Sequence, residues 1–146
     1  MLPSAPESLP TRLRLTVRPG LSELEPARLA VHAFLAGRVP SARALYRLDL
    51  VLEESLMNRM WHAHPLGESK DTQVQVDLST EALQVRFEDE GTPFDPTLED
   101  WSPGPADLLA AQSGGRGLLL TRKAARQWSY ERAGGTNVFT VVLALD

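Results

Sequence analysis

The chain has 146 residues, enough for one domain and too few for two comfortable ones. It contains no cysteine, which excludes a disulfide scaffold, a zinc finger, an iron–sulfur site and a cysteine nucleophile. A formal net charge of −4 argues against general nucleic-acid binding, and no apolar run approaches the ~20 residues of a membrane span. A cytoplasmic protein without membrane contact is expected.

Residues 1–10 hold three prolines and two serines and read as a flexible leader, leaving 11–146 as the domain. Leu13, Leu15 and Val17 alternate with Arg12, Arg14 and Thr16, the period of a half-buried strand. Ser22, with Glu25 three residues on, has the form of a capping box, and Pro26 falls in a first helical turn, where its missing N–H is tolerated. A helix from there to Gly37 would bury Leu29, Ala30, Ala33 and Phe34. A longer helix is predicted over 42–63, with Leu45, Leu48, Leu52, Leu56 and Met60 inside about 120° of arc. Pro65 and Gly67 close it.

Val74, Val76 and Leu78, then Leu83, Val85 and Phe87, alternate with polar residues on either side of Ser79-Thr80-Glu81, which predicts a hairpin. Residues 91–117 carry four prolines and five glycines; so long a connection is expected to be functional. A helix is predicted over about 118–127. Tyr130–Ala133 and Val138–Leu145 then form a second hairpin around Gly134-Gly135. Together these elements predict an α+β fold, a two-layer sandwich with a mixed, largely antiparallel sheet covered on one face by helices.

Three clusters stand out chemically. Glu54 and Asn58 are four residues apart and share a helix face, near Arg47, Val51 and His62 and almost opposite the leucine stripe. An amide oxygen is a hard ligand for Mg²⁺, and a carboxylate beside it can orient or deprotonate a nucleophile; a solvated helix face is the other reading. Arg59 falls near the apolar stripe, where its stem would cross the core and its head would reach water. Asp89 follows Leu83, Val85 and Phe87 in parity, so its carboxylate points to the core side unless the strand end turns outward. A buried charge needs a partner, and a ligand donor such as an adenine amino group would satisfy it. Ser113-Gly114-Gly115-Arg116-Gly117 precedes a helix, where free N–H groups and glycines admit phosphate oxygens, although flexible helix entries use the same residues.

In this order the pieces resemble the GHKL (Bergerat-fold) ATPases, closest to the small anti-sigma-factor serine/threonine kinases with a histidine-kinase-type ATPase domain. Leu52-Glu53-Glu54-Ser55-Leu56-Met57-Asn58 with His62-Ala63 resembles the N box. Asp89-Glu90-Gly91-Thr92-Pro93-Phe94-Asp95-Pro96 resembles the D-x-G-x-P-F-D-P box, Gly114-Gly115-Arg116-Gly117-Leu118 the second glycine box, and Gly134-Gly135-Thr136-Asn137 the closing element. The resemblance covers about residues 12–145. It implies ATP and Mg²⁺ as cofactors, with Asn58 holding the metal and Glu54 the general base. Asp89 would accept from the adenine amino group and Gly91 would line the base pocket. Gly115, Arg116 and Gly117 would lie at the phosphates, residues 96–113 would form a lid, and Thr136 would support the adenine end. It also implies a homodimer whose partners are a sigma factor and an anti-sigma antagonist that it phosphorylates, with no direct nucleic-acid contact. Gln112-Ser113 stands where such kinases often carry a lid base. A nucleotide-dependent protein-binding switch without phosphoryl transfer is therefore the alternative.

Overall fold

Alternation along the strands builds one sheet with an apolar and a polar face. The computed structural model describes residues 11–38, 41–59, 70–98 and 121–146; the leader, the 99–120 stretch and the Pro65/Gly67 helix end lie outside them. The elements are β1 (Arg12–Val17), α1 (Leu24–Leu35), α2 (Ala42–Asn58), β2 (Thr72–Leu78), β3 (Ala82–Asp89), β4 (Gln127–Ala133) and β5 (Thr136–Ala144). The strands lie in the order β1-β2-β3-β5-β4. The fold class is the expected α+β, but the four pairings are all antiparallel, so no parallel pair occurs among the described residues.

Between β3 and β5 the register sets Leu83 opposite Leu143, Val85 opposite Val141, Phe87 opposite Phe139 and Asp89 opposite Asn137. The first three pairs are core; the fourth is polar and equally buried. Val31 and Leu35 of α1 and Leu48, Leu52 and Leu56 of α2 cover this face. The other face carries polar cross-strand pairs such as Arg12 with Asp77 and Thr16 with Gln73. Gly134 and Gly135, at φ of 58° and 82°, make the two-residue β4–β5 turn, whose backbone glycine adopts without strain.

Several expectations are corrected. A 3₁₀ turn at Leu21–Glu23 precedes α1, so the helix starts at Leu24 and its N-cap is Glu23, with no side-chain bond, rather than Ser22. Ala27, Val31 and Leu35 face the core, whereas Leu29 and Ala33 are exposed and Ala30 and Phe34 are half-buried. Both sets recur at helical spacing. Contact with α2 and β1 decides between them, and on the α2 flank His32 Nε2 meets Asp49 Oδ1 at 2.6 Å.

In α2 the buried arc extends past the leucines to Val51, Ser55 and Asn58. Ser41 caps this helix through the N–H groups of Arg43 and Ala44. The last helix ends earlier than expected. Thr121–Ala124 are helical, but the Arg126 N–H already donates to Val142 O, and β4 begins at Gln127. Trp128 meets Phe139 edge-on at 5.8 Å.

Candidate functional site

The ends of three elements meet: the last turn of α2, the last residue of β3 and the first residues of β5. Asp89 is 2% exposed, as strand parity requires. Its Oδ1 accepts from the Gly91 N–H at 2.9 Å and from Asn137 Nδ2 at 3.0 Å. Asn137 also donates to Thr92 O at 2.9 Å. Its Oδ1 accepts from Tyr130 Oη, from Arg132 Nη1 at 3.0 Å and from the Phe94 N–H. Arg132 Nη1 donates in addition to Gly91 O at 2.8 Å. One buried amide therefore ties β3, β4, β5 and the 91–94 loop together. Farther on, Asp95 holds the short Pro96–Leu98 turn by accepting from the Thr97 N–H and hydroxyl.

At the α2 end the polar groups are less complete. Asn58 is 2% exposed, and its Nδ2 donates to Glu54 O at 2.8 Å, one turn back. Asn58 Oδ1 and Ser55 Oγ are buried with no hydrogen-bond partner among the described residues. An amide oxygen in that state fits a hard cation: it has a free lone pair, and its own nitrogen is anchored. Glu54 is half-buried, and burial, then the negative charge of Glu53, raises its pKa above the ordinary 4.5.

Arg59, the residue after α2, turns inward instead of reaching water. It is 1% exposed, and its Nε stands 3.3 Å from Asp89 Oδ2. The inward course is favoured because Phe87 and Phe139 offer their rings to the guanidinium, and Asp89 offers its charge. Burial pushes the Arg59 pKa down to about 10, against the opposing pull of Asp89 and Tyr130.

Gly91 donates its N–H to Asp89 Oδ1. Thr136 opens β5 opposite Ala133, while the bond to Asp89 comes from its neighbour Asn137. Gly115, Arg116 and Gly117 lie outside the described residues. Asn137, Arg132 and Tyr130 were missed in the sequence. The parity of Phe139, Val141 and Leu143 places Asn137 on the core face, which was the available signal. Nothing local marks the other two.

The chain belongs to the histidine kinase-like ATPase domain family, matching it over residues 17–143. It is thus an ATP-binding domain of the GHKL type that the four boxes resemble. Among solved structures it is similar to the RsbU and RsbW domains of Rv1364c from Mycobacterium tuberculosis, with TM-score 0.63 and 14% identity over 91% of this chain. It spans only 32% of that chain. It is also similar to the SiaB–SiaC complex from Pseudomonas aeruginosa, with TM-score 0.62 and 17% identity, covering 90% of this chain and 88% of that one. These likenesses establish the fold. No curated protein sequence matches.

Proposed function

We propose that the chain is an ATP- and Mg²⁺-dependent protein serine/threonine kinase that phosphorylates an anti-sigma antagonist and so controls the availability of a sigma factor. The observation that carries the reading is a pair of buried acceptors without a hydrogen-bond partner among the described residues, Asn58 Oδ1 at the end of α2 and Asp89 Oδ2 at the end of β3. The turn bearing Glu54 and Asn58 lies beside the strand end bearing Asp89, as the short Arg59–Asp89 distance requires, so that one nucleotide would be gripped at both ends. Asp89 would accept from the adenine amino group, beside Gly91, with Thr136 near the same end. Asn58 Oδ1 would hold the metal. Mg²⁺, when bound, neutralises phosphate charge during transfer. Gly115, Arg116 and Gly117 are assigned to the phosphates by resemblance.

Glu54 would take the proton of a serine or threonine hydroxyl as that oxygen bonds to the γ-phosphorus and the bond to the β,γ-bridging oxygen breaks, releasing ADP. A raised pKa suits a base that must take a proton near neutral pH. SiaB is solved in complex with SiaC, which supports a protein partner for a chain of this fold; a homodimer and a cytoplasmic location belong to the same reading. Among the described residues no helix is long and apolar enough to cross a membrane.

The test is labelling with radioactive ATP in the presence of the antagonist. Glu54→Gln should reduce transfer by roughly 10²–10⁴-fold while sparing ATP binding. Labelling that survives removes Glu54 as the base. ATP binding that alters partner affinity without any transfer favours the switch.

A further inference from the structure

Arg59 is the largest fully buried side chain among the described residues, and the functional assignment gives it no task. Its guanidinium carbon lies 5.5 Å from the ring centre of Phe87 and 5.6 Å from that of Phe139. Its edge meets Asp89 Oδ2. A flat group that lies over aromatic rings and turns N–H donors toward a carboxylate resembles the amino-bearing edge of a nucleobase in shape and polarity.

Asp89 has little left to offer a ligand. Oδ1 already takes two donors, from Gly91 and Asn137. Oδ2 is the oxygen remaining for a base, and it is the one Arg59 faces. We infer that Arg59 is a specificity-determining residue that occupies the base position of the ligand-free protein, so that a nucleotide must displace its guanidinium to reach Asp89. The inference rests on the proposed role of Asp89 in base recognition.

Displacement is feasible because the ion pair is incomplete. Arg59 Nε and Nη2 and Asp89 Oδ2 have no hydrogen-bond partner among the described residues. A buried ion pair repays its desolvation only when the remaining donors and acceptors are satisfied, so this one is weakly held.

Two consequences follow. The apparent affinity for ATP is the intrinsic affinity reduced by the fraction of molecules in which Arg59 has withdrawn. Only a base that returns a donor to Asp89 compensates for losing the guanidinium, so the contact selects for an amino-bearing base. The phosphate end of the ligand is unaffected by either.

The test compares ATP with inorganic tripolyphosphate by titration calorimetry on wild-type protein, Arg59→Ala and Arg59→Lys. If open molecules are about one in ten, Arg59→Ala binds ATP roughly tenfold more tightly, while its affinity for tripolyphosphate stays within about twofold of wild type. Arg59→Lys retains the cation beside Asp89 and stays near wild type. Because Arg59→Ala leaves a buried carboxylate unpaired and can fail to fold, a second measurement uses wild-type protein with ¹⁵N-labelled arginine. The Arg59 Nε–H signal, assigned by its loss in Arg59→Lys, should shift with ATP and not with tripolyphosphate. ATP binding that leaves this signal unmoved overturns the inference, as does weaker ATP binding by Arg59→Ala. Wild-type protein that binds neither ligand overturns the nucleotide-site reading itself.

Discussion

The two sides of the site are equally buried and differently finished. Both side-chain polar atoms of Asn137 have partners, and the amide joins three strands and a loop. At the end of α2, Ser55 Oγ, Asn58 Oδ1 and two guanidinium nitrogens of Arg59 have none among the described residues. Satisfied buried networks fix geometry, whereas orphaned groups carry a desolvation cost that a ligand can relieve. The strand side is therefore the frame and the helix side the working surface, so mutations on the two sides should differ in kind.

The largest stability effect belongs to the frame. Asn137→Ala strips partners from Asp89, Tyr130 and Arg132 at once and should lower unfolding free energy by about 3 kcal/mol, read from the urea midpoint. A loss below about 1 kcal/mol would show that the network is not what holds β3 to β5. On the working side, Asn58→Ala removes only the bond to Glu54 O and a buried amide oxygen that already lacks a partner. It should alter stability by less than about 1 kcal/mol, yet weaken Mg²⁺-dependent ATP binding about tenfold. Equal loss with and without Mg²⁺ would detach Asn58 from the metal. Asp89→Asn stands between the two sides: it should weaken ATP by about tenfold, or ~1.4 kcal/mol, and pyrophosphate much less. Equal weakening of both would end the adenine assignment.

Alternation carried the reading of this site as far as burial and no further. It put Asp89 on the core face because Leu83, Val85 and Phe87 share its parity, and the structure agrees. The same rule applied to β5 reaches Asn137, whereas the four-box pattern implies a role for its neighbour Thr136. Arg59 illustrates the limit of periodicity. Helical spacing locates its Cα near the apolar stripe, yet whether the head turns to water depends on Asp89, thirty residues away in sequence, and on two aromatic rings from different strands. In α1 two apolar lines compete, one through Leu29 and Ala33 and one through Ala27, Val31 and Leu35. Only packing against α2 and the sheet distinguishes them. Local pattern thus specifies which residues form elements, and long-range contact specifies which way an amphipathic or charged side chain faces.

The smallest expected effect tests whether the helix side is tuned as well as unfinished. Burial, assisted by the charge of Glu53, raises the Glu54 pKa above 4.5. Between 4.5 and the raised value the folded chain binds more protons at this position than the unfolded chain, so its contribution to stability falls as pH rises through that window. Glu54→Gln removes that ionisation and should gain stability at neutral pH. The gain is less than about 1 kcal/mol because the side chain remains partly in water. The advantage over wild type should vanish at pH below 4.5, where both side chains are neutral. For catalysis the sign reverses: the base works only when ionised, so the acid limb of the phosphoryl-transfer rate should lie above pH 4.5. A limb at or below that value would mean that burial has not tuned Glu54, and the helix side would then be unfinished without being adapted to proton transfer.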